Sequence, residues 1–378
     1  MRLLDRYLFR ELLVPLTYCV VGFLLCFTIF DLFNQLDEFQ RGKLVAQDIF
    51  DYYANRIPEL IVSSYVMPMA LLLALLYALT NHARHHELTA MRAAGVSLWR
   101  ISVPYYIVGF LFSILVLVLN ESVVPQASDA AERVLLRRVG TQAKGGDKIA
   151  KRNVNFVNQQ DRRTWHIIEY NLETRRMLRP SIDWFEPDGT RRMIFAEQGW
   201  WGRRRWIFTN VQQFVYAPVN DSLPTEKWTT NRLELPQIIE TPRLITSEIK
   251  IRELETLRSL RRTQLSSAAI LDYLRLHPGN ALESKKRDTL LTLLHSRLAA
   301  PWTCFVVVLI AVPFGALPGR RNAFVGVASS IFICFVFFVA KDLTLALGSG
   351  GYVPAWLAAW APNAVFAVTG LTLMWRVR

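Results

Sequence analysis

Hydrophobic positions along this chain follow two patterns that keep to separate stretches. Six long runs are apolar and free of charge: Leu12–Phe30, Leu60–Thr80, Ile101–Asn120, Leu298–Pro318, Ala323–Ala340 and Pro354–Trp375. Each approaches the roughly 20 residues that a helix needs to cross about 30 Å of hydrocarbon. One such run alone reads equally well as a buried core helix, but six in one chain predict a membrane protein. The first is no cleavable leader, because its run is too long and no small-residue cleavage site follows. Between the third and fourth runs the pattern changes, and from about Val123 to Thr241 the chain reads as β structure. Short segments such as Val154–Val157, Trp165–Tyr170, Ser181–Phe185 and Trp206–Val211 are parted by polar turns at Gln159–Arg163 and Pro187–Thr190. β-Branched and aromatic runs at that spacing predict a sandwich or jelly roll. Glu253–Arg262 and Ala268–Leu276 then read as helical, Pro278-Gly279 breaks the chain, and Glu283–Arg297 leads as a helix into the fourth run.

The predicted fold class is a membrane α-helical bundle of six transmembrane helices, three plus three, with an inserted extracytoplasmic all-β jelly-roll domain. Its divisions are 1–122 for the first three spans, with a short helix at 84–96, and 123–245 for the β domain. A helical connector covers 246–297, and 298–378 holds the last three spans.

Charge at the span ends supplies the orientation. The start carries Arg2, Arg6 and Arg10, and loop 81–100 carries Arg84, Arg92, Arg100 and three histidines against Glu87 alone. Gly319-Arg320-Arg321 and the tail Arg376 and Arg378 are purely basic. These segments are expected on the cytoplasmic side, with both termini. Asp31–Arg56 holds five acids against three bases and is expected outside, as is the β domain. The net charge of +13 does not contradict this, since long domains translocate regardless of charge. From Ser122 to Arg243 there are twenty Lys/Arg against fourteen Asp/Glu, with arginine pairs at the turns. Solvated hairpins account for them, and contact with anionic lipid headgroups is the sharper reading. A nucleic-acid partner is excluded by the expected orientation. All four cysteines (Cys19, Cys26, Cys304, Cys334) lie in the apolar runs, so a thiolate metal site in the β domain is also excluded.

Catalytic chemistry is hard to find. Gly140–Asp147 is the nearest approach to a phosphate loop, but it lacks the Gly-Lys-Ser/Thr ending. Serine-hydrolase elbows and His-Glu-x-x-His pairs are absent from the sequence. His82, His85 and His86 would share one helix face at i, i+3 and i+4, with Glu87 pointing away from it. A solvated cluster is the expectation there rather than zinc. The spans show no chain of carboxylates for carrying protons. Lys341 and Asp342, near the outer end of the fifth, are adjacent and cannot face the same way. Pro362-Asn363 loosens the sixth span midway. No cofactor and no metal are expected.

Between the second and third spans runs Glu87-Leu88-Thr89-Ala90-Met91-Arg92-Ala93-Ala94-Gly95-Val96-Ser97. Leu88, Met91 and Gly95 form a small apolar stripe beside Glu87 and Arg92, which reads as a short amphipathic helix ending at a glycine cap. This loop resembles the signature of the lipopolysaccharide-transport permease family, the LptF/LptG subunits. The resemblance extends to Asp5-Arg6-Tyr7, to Gln35-Leu36-Asp37 with Gly42, and to Leu294–Pro301 running on to Val312-Pro313-Phe314-Gly315. It leans towards the G-type subunit through the first two of these.

The resemblance implies a bacterial inner-membrane subunit without catalytic residues, belonging to an ABC-type exporter. Its implied partners are a cytoplasmic ABC ATPase dimer, a second homologous permease subunit in a heterodimer, and a periplasmic bridge protein of jelly-roll fold. Its implied cargo is lipopolysaccharide. Carried over residue by residue, Glu87 is the acid that couples to the ATPase, with Leu88, Met91, Arg92 and Gly95 beside it. Substrate contact is expected from Arg41, Lys43, Asp31 and Lys341 near the outer span ends. G-type members can place lysines at the outer end of span one, where this chain has Asp31, Asp37 and Glu38. Either phosphate contact has moved to Arg41, Lys43 and the arginines of the β domain, or the headgroup carries less negative charge. Two other readings compete: a membrane-anchored sensor, which lacks a cytoplasmic output domain, and a membrane enzyme acting on lipid headgroups, which lacks a convergent nucleophile, metal or carboxylate pair.

Overall fold

The computed structural model describes residues 3–41, 43–62, 65–139, 150–172, 174–202, 204–217, 224–253, 265–277, 284–315 and 320–376. The chain divides into two compact units, one formed by Met1–Arg138 with Asp288–Arg378 and the other by Val139–Arg287. The phosphate-loop-like Gly140–Asp147, the break Pro278-Gly279, Gly319, and all but the first residue of Glu253–Arg262 lie outside the described residues.

The first unit is a membrane bundle. Its helices are α1 (Leu3–Arg41), α2 (Ala46–Val62), α3 (Val66–Arg84), α4 (Glu87–Ala93), α5 (Leu98–Ser122) and α6 (Val124–Val139, its last residue just past the boundary). The helices that follow are α9 (Ser284–Ala299, its first four residues before the boundary), α10 (Thr303–Gly315), α11 (Arg320–Ser349) and α12 (Ala355–Arg376). Six helical stretches are long and apolar enough to span: Leu4–Asp37, Val66–Arg84, Leu98–Ser122, Ser284–Gly315, Ile331–Ser349 and Ala355–Arg376. The three-plus-three arrangement is therefore present. The second span begins later than its apolar run, because Leu60 to Val62 finish α2 instead.

A helix that is apolar all round must be either enclosed by protein or bathed in lipid, and the bundle holds both kinds. α10 is enclosed: it packs on α3, α5, α11 and α12, and every residue from Val306 to Pro313 is buried. α1 is the opposite case, exposing Val14, Tyr18, Val21, Leu25, Ile29 and Phe33 along its length. Close approach is set by small residues, as membrane packing requires. A Cβ on Gly370 of α12 would lie 2.8 Å from the Leu309 backbone, and one on Gly315 would lie 2.6 Å from Leu79.

Pro301 breaks the fourth span into α9 and α10 through a single turn of 3-10 helix at Ala300–Trp302. Proline has no N–H to give to the carbonyl four residues back, which belongs to Arg297. Asn120 of α5 donates to that carbonyl at 3.4 Å, and Asn363 of α12 donates to the Ala299 carbonyl at 2.8 Å. Backbone groups freed inside a membrane must find such partners. Asn363, in the Pro-Asn step of the sixth span, thus ties two helices together.

At the end of the bundle remote from α4, Phe39, Tyr52 and Ala131 join α1, α2 and α6 in a satellite core. Glu59 of α2 accepts from Arg56 at 2.6 Å and from Ser128 of α6 at 2.5 Å. Residues 124–139 are helical here, whereas the sequence reading placed them at the start of the β domain. The segment is alanine-rich with a proline in its first turn and lacks strand alternation, which favours a helix.

The second unit holds the expected all-β insert. Its strands are β1 (Ala150–Asn158), β2 (Arg163–Asn171), β3 (Arg176–Phe185), β4 (Arg191–Phe195), β5 (Gln198–Gly202), β6 (Arg205–Tyr216) and β7 (Glu226–Leu235), all antiparallel. β4 and β5 keep one register against both β3 and β6, so together they act as a single interrupted strand. The sheet is then a meander in which neighbours in space are neighbours in the chain.

A crease crosses it. The registers place Asn153, Ile168, Arg179, Glu197, Asn210 and Asn231 in one row, and Asn153, Arg179 and Asn210 have φ of 53°, 45° and 48°. On one side of the row the first inward residues come after one step (Val154, Ile167, Pro180, Ala196, Val211). On the other they come after two (Tyr170, Met177, Gly199, Phe208). The strands thus spend an extra outward residue at the same place, as a bulge does, and the sheet bends there. Trp165 of β2 and Phe208 of β6 meet at 6.4 Å between ring centroids, although two strand positions separate them. In a flat sheet those strands would stand about 14 Å apart. Folding along the crease is how a meander becomes a roll around one core.

That core is closed by α7 (Pro242–Glu253), which inserts Ile245 and Ile249 one turn apart. α8 (Ser267–Leu276), capped by the Ser266 hydroxyl on the Ala269 N–H, packs against α7. A single buried carboxylate organises the polar part of the core. Glu240 is fully buried and accepts from Arg163 Nη1 at 2.6 Å, Asn158 Nδ2 at 2.8 Å and Trp165 Nε1 at 3.2 Å.

Candidate functional site

The loop helix α4 is seven residues long and is defined at both ends by local chemistry. Gly95, at φ 83°, donates to the Arg92 carbonyl while Val96 donates to that of Met91. These two bonds make a Schellman cap, which needs a left-handed residue and so favours glycine. Val96 then packs on the bundle core, and the Ser97 hydroxyl caps α5 by accepting from the Arg100 N–H at 3.3 Å. Gly-Val-Ser is therefore one helix stop followed by one helix start.

At the other end α3 stops at Arg84, and His86 turns left-handed at φ 57°. This corrects two expectations. His82, His85 and His86 do not share a helix face, because the helix ends before the last two, which are exposed. Glu87 does not point away from His82, because the reversal at His86 swings it back: His82 Nδ1 lies 2.6 Å from Glu87 Oε2. The Tyr7 hydroxyl of α1 donates to the same carboxylate, at 3.0 and 3.2 Å from its two oxygens.

The other residues of the loop divide between two faces. Leu88 is buried in the bundle core and Met91 packs against it, while Thr89, Ala90, Arg92, Ala93 and Gly95 are exposed. The surface offered outward is thus narrow, small-residued and positively charged at Arg92. The end of α5 is fixed separately, by Arg100 Nη2 donating to Asp5 Oδ2 at 2.8 Å.

The candidate substrate residues lie in different places. Asp31 sits inside the α1–α2 hairpin, accepting from Gln35 at 3.0 Å and Tyr53 at 3.4 Å, while Tyr52 donates to Gln35 at 2.6 Å. Burial is the leading reason that both phenols are held above their usual pKa, with the Asp31 charge adding to it. Arg41 is the last residue of α1, its side chain outside the described ones, and Lys43 occupies the exposed turn that follows, at φ 47°. Lys341 is buried in α11, its Nζ 5.8 Å from the centre of the Tyr65 ring. Its exposed neighbour Asp342 takes the Tyr65 hydroxyl at 2.6 Å. Among the described residues no contact joins Lys341 to Asp31 or Lys43.

Sequence reasoning singles out His82 in a histidine cluster and Tyr7 in Asp5-Arg6-Tyr7, but misses that both hold Glu87. Polarity alone does not set them apart, because Tyr7 stands among Asp5, Arg6, Arg10 and Glu11 of α1 and His82 between Asn81 and Arg84 of α3.

A bundle that packs its centre around α10, carries an inserted β unit between its third and fourth spans in the chain and presents a short glycine-capped helix on a loop is a multi-pass membrane protein. The chain belongs to the lipopolysaccharide export system permease LptF/LptG family, whose model matches residues 6–376. It is accordingly a permease component of lipopolysaccharide export and not itself a catalyst. No individual curated protein matches it.

Proposed function

We propose that this chain is the membrane subunit of an ABC-type exporter that takes lipopolysaccharide from the inner membrane and passes it to a periplasmic bridge protein. In this reading the termini and α4 face the cytoplasm, the β unit faces the periplasm, and a second homologous permease, with the G-type role assigned to this chain, completes the pair. A separate ATPase dimer supplies the energy through α4. The observation that carries it is α4 itself, a helix stopped at its C-terminus by the Gly95 cap, seated on the bundle through Leu88 and Met91, with Arg92 and small residues outward. A rigid, charged lever is what a subunit driven from outside requires. The test is co-purification with tagged chain, followed by mass spectrometry of bound proteins and lipids. Glu87→Ala is expected to abolish ATPase assembly, and an ATPase retained at the unaltered level overturns the coupling role.

Headgroup contact in this reading falls to Arg41 and Lys43 beyond the acidic end of span one, with Lys341 reached only after Tyr65 moves aside. Each base near an anionic surface contributes about 1 kcal/mol, so reversing both charges, a loss of at least about 2 kcal/mol, is expected to weaken lipid binding, read by crosslinking, roughly thirtyfold or more. Crosslinking that stays unchanged assigns the contact elsewhere.

A further inference from the structure

Three helices converge on one carboxylate. Glu87 is the first residue of α4, and its side chain is held by Tyr7 from α1 and His82 from the last turn of α3. The Tyr7 and His82 rings lie 5.7 Å apart, so the two donors flank the acid as a pair. His82 is 1% exposed and facing a carboxylate places a proton on Nδ1. Its Nε2 is buried with no hydrogen-bond partner among the described residues. Enclosing an imidazole with one nitrogen unmatched is costly, and an apolar side chain would fill the same space without that cost. A polar group held there at a cost indicates that the bond to Glu87 is what the position serves.

The same first turns of α1 grip the loop a second time, through Asp5 and Arg100 at the start of α5. Both ends of the loop that carries α4 are therefore fastened to α1. α1 is also the span whose apolar stretch is least enclosed: Leu8, Leu12 and Leu16 seat its first half in the bundle core, where it packs on α3, and beyond them it carries a long exposed face.

We infer that Tyr7 and His82 are positioning residues that orient the loop acid and tie α4 to the first span. A partner that takes Glu87 must share or break the bonds from Tyr7 and His82, and through them it acts on α1. This rests on the reading that α4 receives an ATPase, while the fastening itself does not. Two measurements separate them. In the full chain alone, Tyr7→Phe, which removes only a hydroxyl, is expected to speed hydrogen exchange at the amides of residues 87–94 about tenfold, the scale of one hydrogen bond to a charged group. Glu87→Gln is expected to do the same, and the double variant no more, because the two act through one contact. Unchanged exchange, or effects that add, overturns the fastening.

In the assembled complex, reconstituted in vesicles holding lipopolysaccharide, Tyr7→Phe and His82→Leu are expected to keep the ATPase bound and lower the lipid released per ATP hydrolysed. His82→Asn, whose amide can still donate, is expected to restore part of it. Release per ATP at the unaltered level overturns the link to the first span. Failure of the unaltered chain to bind an ATPase overturns the reading of α4 alone, and the exchange result still decides the fastening.

Discussion

Replacing Glu240 with alanine is expected to cost the β unit about 3–5 kcal/mol, the scale for removing one partner of a buried ion pair. Arg163, 4% exposed, would lose its 2.6 Å contact and keep only Asp161 at 3.1 Å and the Gln237 carbonyl at 3.0 Å. The Trp165 indole would lose its acceptor, and Asn158 Nδ2 would keep only Asp161 at 3.3 Å. The guanidinium also lies 4.5 Å from the centre of the Trp184 ring, so its displacement disturbs the apolar core directly. Since Trp206 donates to the Glu240 backbone carbonyl at 2.6 Å, the segment leading into α7 would stay attached. Thermal unfolding of the full chain, followed by tryptophan fluorescence, is expected to show a transition lowered by roughly 10 °C or more. Glu234→Ala, at the exposed pair with Arg205, is the control and is expected to leave the midpoint where it was. An unchanged midpoint for Glu240→Ala would mean that Arg163 finds other partners without loss.

How much of this could be read from residues alone differs between elements, for physical reasons. The six spans were legible because a membrane forbids charge over a whole helix, a constraint that needs no knowledge of neighbours. The end of α4 was legible too, since Gly95 supplies the left-handed residue that a Schellman cap needs. The direction of Glu87 was not. It depends on His86 adopting a left-handed turn, which few non-glycine residues do and no periodicity announces. The crease was hidden for a related reason: one extra outward residue per strand looks, in a single strand, like the end of alternation. Only registration of Ile168, Arg179 and Asn210 in one row shows that the interruptions are the same event. The buried place of Lys341 was half legible. Adjacency to Asp342 showed that the two must diverge, but that Lys341 is the buried one, beside the Tyr65 ring at the start of α3, depends on packing between helices.

Arg297→Met is expected to be the most damaging single change in the membrane unit. The guanidinium, 5% exposed, donates to the Asn120 backbone carbonyl at 2.8 Å and to its side-chain oxygen at 3.0 Å. Asn120 in return serves the Arg297 carbonyl that Pro301 leaves without a helical donor. The pair therefore joins the third span to the fourth, which is to say the first half of the bundle to the second. Methionine fills much of the volume but leaves the Asn120 oxygens unmatched, a loss of about 2–4 kcal/mol for buried bonds to a charged group. Asn120→Ala is expected to fall in the same range and the double variant to cost little more than either, because both remove one network. The cysteines provide the measurement. All four lie in the membrane unit, and Cys304 and Cys334 are 1% exposed, so their reaction with a thiol dye on heating reports that unit separately from the β unit. Arg297→Met should bring their labelling to lower temperature while Glu240→Ala leaves it unchanged. The reverse result would place the junction between the halves in the apolar contacts of α10 instead of the Asn120–Arg297 pair.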